Sequence, residues 1–203
     1  METLQSFIIW TWKHFFSNLN CDGASEDPYH GGAPNKYPFA DDIKLYCELS
    51  IATLNCLQIQ LNNIHTWSKL WQLPISYSKC NILHVRPASQ PETYHISNHT
   101  INPVDYVRDL GVLIEPDLKF TRHINDIVRR ASQRSALISR CFSSRNRSNM
   151  LRAFKTYVRP ILEYSSTAWS PSAIGQIIKL ESVQRSFTKR LPGLFNMSYE
   201  ERL

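Results

Sequence analysis

The stretch Tyr37-Pro38-Phe39-Ala40-Asp41-Asp42-Ile43-Lys44-Leu45-Tyr46 decides the fold of this 203-residue chain. Two adjacent aspartates separate two short apolar runs, and this pattern predicts two antiparallel strands joined by a tight turn. Neighbouring carboxylates raise each other's pKa unless a cation or solvent meets them. The residues alone leave two interpretations: an exposed Asp-Asp turn, or a pair of carboxylate ligands for Mg²⁺, which prefers oxygen.

The sequence after this stretch changes its period twice. Apolar residues recur at spacings of three and four from Ile51 to Trp71, which predicts a long helix over residues 48–72 that ends before Pro74. Residues 79–114 alternate as strands do, so we expect a small antiparallel unit there. Helical spacing returns after residue 116 and predicts a three-helix unit after residue 120. The chain should therefore have an α+β fold, with antiparallel β-hairpins and one long helix followed by an all-helical part.

The two ends of the chain have different patterns. Residues 20–38 are rich in glycine and proline, as loops are, and residues 1–36 are interpreted as a poorly ordered or unrelated leader. The apolar run at 7–12 is too short to span a membrane and does not resemble a signal peptide, which leaves nucleus or cytoplasm open. Ser198 and Glu201 form a capping-box pattern that predicts the start of a helix, so we expect the natural coding sequence to continue.

Charge is distributed unevenly along the chain. Residues 1–118 contain 7 lysines and arginines and 12 acidic residues, whereas residues 119–203 contain 16 and 5. A basic half joined to an acidic half favours a polyanionic partner on one side. The five cysteines are far apart and form no C-x-x-C pair, so a disulfide scaffold is not expected.

The basic excess is concentrated between residues 119 and 159, where eleven lysines and arginines accompany one acid, Asp126. Such a surface suits contact with a phosphate backbone without reading of bases. The alternatives are general solubility and an acidic protein partner. The predicted nucleic-acid-binding residues are Arg129, Arg130, Arg134, Arg140, Arg145, Arg147, Arg152, Lys155 and Arg159.

Several motifs in order give the chain a family resemblance. The F-A-D-D-I-K-L-Y stretch resembles the catalytic turn of reverse transcriptases, specifically those of non-LTR, jockey-like retrotransposons. The segments W-S-K-L-W-Q-L at 67–73, S-Y-S-K-C-N-I-L-H at 76–84 and Y-V-R-D-L-G-V at 106–112 come next, as the later palm motifs of that family do. Y-V-R-P-I-L-E-Y at 157–164, W-S-P at 169–171, L-E-S-V-Q-R at 180–185 and S-Y-E-E-R-L at 198–203 are similar to its thumb and to the region beyond the thumb.

This resemblance implies roles for individual residues. Asp41 would be a metal ligand and Asp42 the supporting carboxylate, with Mg²⁺ as the cofactor. Lys79 would lie near the triphosphate and act as a general acid, although the residues alone equally fit an exposed lysine at a strand edge. Tyr106, Leu110 and Gly111 would belong to a hairpin that supports the primer, and Gly111 would allow a close approach or a bulge. The simpler interpretation of that segment is a core strand.

The resemblance begins at residue 37 and leaves out what the family has upstream. No earlier palm strand with a further aspartate, no substrate-binding Pro-Gln-Gly stretch and no fingers are visible before the F-A-D-D turn. The implied organisation is a leader at 1–36, a partial palm at 37–116 and a truncated helical thumb at 117–203. The implied function is a fragment of an RNA-directed DNA polymerase that is inactive alone and binds Mg²⁺ weakly or not at all.

Two partners are implied by this interpretation, an RNA template and a DNA primer, with deoxynucleotides in the full-length enzyme and no membrane. The alternative function is a non-catalytic nucleic-acid-binding protein that uses only the basic helical half. The sequence gives no indication of the oligomeric state.

Overall fold

A four-stranded antiparallel sheet forms the centre of the first half of the chain. The structure is a computed structural model that describes residues 4–11, 35–39, 42–48, 56–85, 93–142 and 146–202. The strands are Leu4–Thr11 (β1), Asn35–Phe39 (β2), Asp42–Glu48 (β3) and Asn81–His84 (β4), in the order β2-β3-β1-β4. All three pairings are antiparallel.

Strand β1 lies where the sequence predicted only a leader. It pairs with β3 from Leu4↔Glu48 to Thr11↔Asp42, and with β4 from Ser6↔His84 to Ile9↔Asn81. Residues 4–11, which the sequence assigned to an unrelated or poorly ordered leader, are thus hydrogen-bonded on both sides as part of the sheet. The proposed boundaries at residues 36 and 116 stay a prediction.

The predicted hairpin at the paired aspartates is present. Strands β2 and β3 pair from Asn35↔Tyr46 to Phe39↔Asp42, so only Ala40 and Asp41 lie between the last paired residues. Two-residue connections are the commonest in hairpins. Asp42 begins β3, and Asp41 lies outside the described residues.

Helix α1 (Cys56–Leu70) covers the sheet with the predicted apolar face. Leu57, Leu61 and Ile64 are buried and join Leu45 of β3 in one hydrophobic cluster. The predicted helix of residues 48–72 is too long, since β3 continues to Glu48 and α1 ends at Leu70. Trp71, the last residue of the predicted apolar spacing, is 62% exposed because it follows the last helical residue.

The predicted antiparallel unit after residue 79 consists of β4 and two hairpins that follow it in the chain. Tyr94–Ile96 (β5) pairs with His99–Ile101 (β6) across a Ser97-Asn98 turn. Val107–Asp109 (β7) and Val112–Ile114 (β8) form a second two-stranded sheet. Residues 102–104 also run parallel to β4, since the Val104 N–H donates to the Ile82 carbonyl at 2.8 Å.

Packing divides the chain into two compact units. The first contains the described residues up to Leu110 with Glu115–Leu118, and the second contains Gly111–Ile114 with Lys119–Leu203. The helices of the second unit are Thr121–Cys141 (α2), Arg147–Tyr157 (α3), Arg159–Glu163 (α4), Ser166–Trp169 (α5) and Ile174–Lys189 (α6). The predicted α+β fold is confirmed, although five helices stand where three were expected. No helix in the described ranges is long and apolar enough to cross a membrane.

The second unit has its own hydrophobic core, and local residues set its helix boundaries. Ala131 and Ile138 of α2 pack with Phe154 and Phe187, whose stacked rings have centroids 4.5 Å apart. Pro160 lies in the first turn of α4 and separates it from α3, because a proline is accepted in the first turn of a helix but not in its interior. The Asn146 side chain caps α3 by accepting a hydrogen bond from the Asn149 N–H at 3.2 Å.

Glycine is required at position 111 because of its backbone conformation, and not because a side chain would clash with its neighbours. Its φ of +90° follows a φ of +45° at Leu110, and two positive values are typical of a type I′ turn. An added Cβ would lie 3.5 Å from Cε1 of Tyr164, an ordinary contact. That Gly111 allows a close approach or a bulge stays a prediction, and the structure adds a requirement for positive φ at this position.

We expect Gly111→Ala to destabilise the second unit by about 1 kcal/mol, because alanine is strained at positive φ. Chemical denaturation followed by circular dichroism measures this change. Gly175→Ala is the matched control, since Gly175 lies in α6 with no atom within 4 Å of the added Cβ and without positive φ. Equal destabilisation by the two substitutions would contradict the conformational explanation.

Candidate catalytic hairpin and nucleic-acid interface

The β2–β3 hairpin and its neighbour β1 determine what the paired aspartates can do. Thr11 of β1 is the register partner of Asp42. Residues directly opposite each other in antiparallel strands share one face of the sheet. Strand β1 reads Leu-Gln-Ser-Phe-Ile-Ile-Trp-Thr and contains no carboxylate. The strand beside Asp42 therefore supplies no acidic ligand.

Two Mg²⁺ ions held in a phosphoryl-transfer site need carboxylates from more than one strand around them. The resemblance implied Asp41 and Asp42 as ligands together with a further aspartate on an earlier palm strand. Strand β1 offers a threonine at the position opposite Asp42. No cluster of three potential metal ligands occurs within the described ranges.

Lys79 and Tyr106, which the sequence assigned to different motifs, line the same open cleft of about 790 Å³ in the first unit. Lys79 is exposed at the end of the 3₁₀ turn Tyr77–Lys79, immediately before β4. Tyr106 precedes β7 and is 46% exposed. The cleft thus brings together a cation and an aromatic ring. Its other lining residues are Ser78, Asn81, Pro103, Val104, Asp105, Val107 and Arg108.

The remaining predicted residues of the primer-support hairpin are also exposed. Leu110 and Gly111 form its tip, and Leu110 is 41% exposed with an unfavourable positive φ. The segment is therefore not simply a core strand, although Val107 and Val112 are buried.

Cys80 lies directly after Lys79 but takes no part in chemistry at the cleft. Its side chain is buried in the core cluster of the first unit, and this burial raises the pKa of the thiol to about 12. The thiol donates a hydrogen bond to the Ser76 carbonyl at 3.3 Å. A neutral, enclosed thiol is a poor nucleophile.

The second unit carries the predicted basic surface. Eight of the nine predicted residues are described, and all eight are exposed; Arg145 lies outside the described residues. On α2, Arg129 and Arg140 are each two positions, or about 200°, from the buried Ala131 and Ile138. They therefore lie on the face opposite the core, where a ligand can reach them.

Acidic neighbours divide this basic surface into two groups. The Asp126 carboxylate forms ion pairs with the guanidinium groups of Arg129 at 2.5 Å and Arg130 at 3.7 Å. The Glu163 carboxylate pairs with the guanidinium group of Arg159 at 2.6 Å. Sequence reasoning noted Asp126 but missed that it pairs with two arginines one helical turn away. The basic residues with no acidic partner in the described part of the chain are Arg134, Arg140, Arg147, Arg152 and Lys155.

Comparison with known proteins agrees with these motifs. The chain is 24% identical over 163 residues to a probable RNA-directed DNA polymerase from transposon X-element of Drosophila melanogaster, covering 76% of this chain and 18% of the relative. It is 22% identical over 161 residues to the RNA-directed DNA polymerase from mobile element jockey of Drosophila funebris, with the same coverage. The resemblance to non-LTR retrotransposon polymerases is confirmed.

The similarity is to a part of these polymerases, because this chain spans only 18% of their length. An uncharacterised protein of Caenorhabditis elegans is 28% identical over 100 residues, which cover 48% of this chain and 50% of that protein. No family model matches the chain. No solved structure matches it either.

Proposed function

We propose that this chain is a portion of a retrotransposon RNA-directed DNA polymerase that binds duplex nucleic acid without catalysing its extension. The observation that carries the proposal is the β2–β3 hairpin, whose strand β3 begins at Asp42 of the F-A-D-D motif and whose neighbouring strand β1 has no carboxylate. The partners are an RNA template and a DNA primer, and Mg²⁺ binds weakly.

The proposal that the first unit is a polymerase palm rests on its sheet. The order β2-β3-β1-β4, with α1 between β3 and β4, is that of a split β-α-β arrangement. In the family, the D-D turn joins two antiparallel palm strands, and an earlier palm strand carries the other aspartate. We assign β1 to the place of that earlier strand. Thr11 then stands where the metal site would need an acid.

Duplex binding is assigned to the second unit. Arg134, Arg140, Arg147, Arg152 and Lys155 are exposed on α2 and α3 and have no acidic partner in the described ranges. Exposed guanidinium groups spread over two helices favour phosphate contacts, which fix a duplex but read no sequence. The cleft with Lys79 and Tyr106 is the corresponding site for the primer terminus.

The experiment is equilibrium binding of a fluorescent RNA–DNA hybrid to the purified chain as salt is raised. Each neutralised phosphate contributes about −0.9 to the slope of log affinity against log salt, so three to five contacts predict a slope of about −2.7 to −4.5. Two hybrids of unrelated sequence should bind equally. A slope near zero, or tighter binding of an acidic peptide than of the hybrid, would favour the acidic-protein partner instead.

A further inference from the structure

Lys44 is unusual among the charged residues of the first unit. Its side chain is 8% exposed, and it is the one buried lysine, arginine, aspartate or glutamate within the described ranges. The Lys44 ammonium forms an ion pair with the carboxylate of Asp109, which is 15% exposed. Charges removed from water in this way are stable only when each has a partner.

The two residues belong to the two parts of the first unit that the proposed function uses. Lys44 is on β3, two positions after Asp42, and is flanked by Ile9 of β1 and Tyr37 of β2. Asp109 ends β7, directly after the cleft residues Val107 and Arg108. One ion pair thus connects the strand of the paired aspartates to the wall of the cleft.

We infer that Lys44 and Asp109 are positioning residues that hold the Tyr106–Arg108 wall of the cleft against β3, so that the cleft can receive the terminal base of a primer. The inference rests on the proposed function. Both residues lie within the quoted motifs, and the family resemblance gave neither of them a role. Neither side chain contacts the nucleic acid; their effect passes through β7 to Tyr106.

Energetics favour a positioning role over a purely stabilising one. Replacing a buried ion pair by apolar residues of similar size is often neutral or stabilising, because the desolvation of both charges is avoided. An ion pair nevertheless requires a short contact between two defined groups, whereas apolar side chains accept several arrangements. The pair should therefore be dispensable for stability but necessary for the geometry of the cleft.

The test uses the full chain and an RNA–DNA hybrid whose primer ends in 2-aminopurine. Stacking on Tyr106 should quench the fluorescence of that base, and Tyr106→Leu should remove the quench. The double variant Lys44→Met/Asp109→Leu should melt at or above the wild-type temperature and bind the hybrid with unchanged affinity. Its quench should fall to the level of Tyr106→Leu, and Lys44→Asp/Asp109→Lys should restore it.

Two further variants complete the experiment. Asp109→Asn keeps the shape of the side chain without its charge, and it should also lose the quench. This variant provides the test if the double variant does not fold. Lys69→Met, which removes an exposed cation from α1, should change nothing. A wild-type quench in either Asp109 variant, or no Tyr106-dependent quench in the wild type, would overturn the inference. If the wild-type chain does not bind the hybrid at all, the proposed function is overturned instead.

Discussion

Replacing Arg134, Arg140 and Arg152 together by alanine is expected to weaken binding of an RNA–DNA hybrid by about 10²-fold at 0.1 M salt. These arginines are exposed on α2 and α3 and have no acidic partner among the described residues. Each phosphate contact releases condensed counterions, so the loss of three contacts should also reduce the steepness of the salt dependence by about 2.7. Fluorescence anisotropy at several salt concentrations measures both quantities.

The control for this experiment removes the same charge elsewhere. Lys69, Lys189 and Arg190 are exposed and lie outside the predicted nucleic-acid-binding set, so their replacement by alanine tests net charge alone. Asp126→Asn should act in the opposite direction and tighten binding severalfold, since it frees Arg129 and Arg130 and removes a negative charge. If the control triple variant lost as much affinity as the Arg134, Arg140 and Arg152 triple variant, the assignment of a defined phosphate-binding surface would be wrong.

Introducing an acid on β1 is expected to raise the weak Mg²⁺ affinity that we propose for the wild-type chain. Thr11 is the register partner of Asp42, so Thr11→Asp places a carboxylic acid at the position directly opposite Asp42. Mg²⁺ prefers near-octahedral oxygen ligation, and a ligand from a second strand replaces coordinated water. Calorimetric titration should show an affinity at least about tenfold higher than wild type, or about 1.4 kcal/mol.

Two controls separate a metal site from general attraction. Thr11→Asn places a side chain of the same shape without charge and should leave Mg²⁺ affinity at the wild-type level. Adding Asp42→Asn to Thr11→Asp should abolish the gain. No gain in Thr11→Asp, or tight wild-type binding that Asp41→Ala removes, would show that the missing β1 carboxylate is not what limits metal binding.

The elements with a regular period could be predicted from the sequence. The hairpin at Asp42 and the buried face of α1 follow from periods of 2 and 3.6. Local chemistry also sufficed for the capping box, where the Ser198 N–H donates to Glu201 Oε2 at 2.7 Å and the Glu201 N–H to Ser198 Oγ at 3.3 Å. These hydrogen bonds lower the pKa of Glu201.

The central strand β1 could not be predicted from period alone. The run Phe7-Ile8-Ile9-Trp10 is continuously apolar, which fits a strand between two neighbours as well as several other structures. Pairing partners that lie far along the chain, such as Asn81 for Ile9, decide between them. The continuous apolar run was the available signal for a strand. It was assigned to the leader because a glycine- and proline-rich segment follows it.

The candidate site was predicted residue by residue, but its internal pairings were not. Lys44 was interpreted only as part of a strand, and nothing in its neighbourhood in sequence indicates Asp109 as its partner. Lys79 and Tyr106 meet at one cleft because residues 102–104 return beside β4. Contacts of this kind depend on the tertiary fold, so propensity and spacing carry no information about them.

Template-dependent incorporation of deoxynucleotides tests the account most directly, because it asks whether a chain that binds the hybrid can also extend the primer. The assay uses a primed RNA template, Mg²⁺ and chain at a concentration at which anisotropy shows the hybrid fully bound. We expect no incorporation above that of the Asp41→Asn variant, because the strand opposite Asp42 supplies no carboxylate. Incorporation that depends on the template and disappears in Asp41→Asn would contradict the account and require another part of the chain to complete the site.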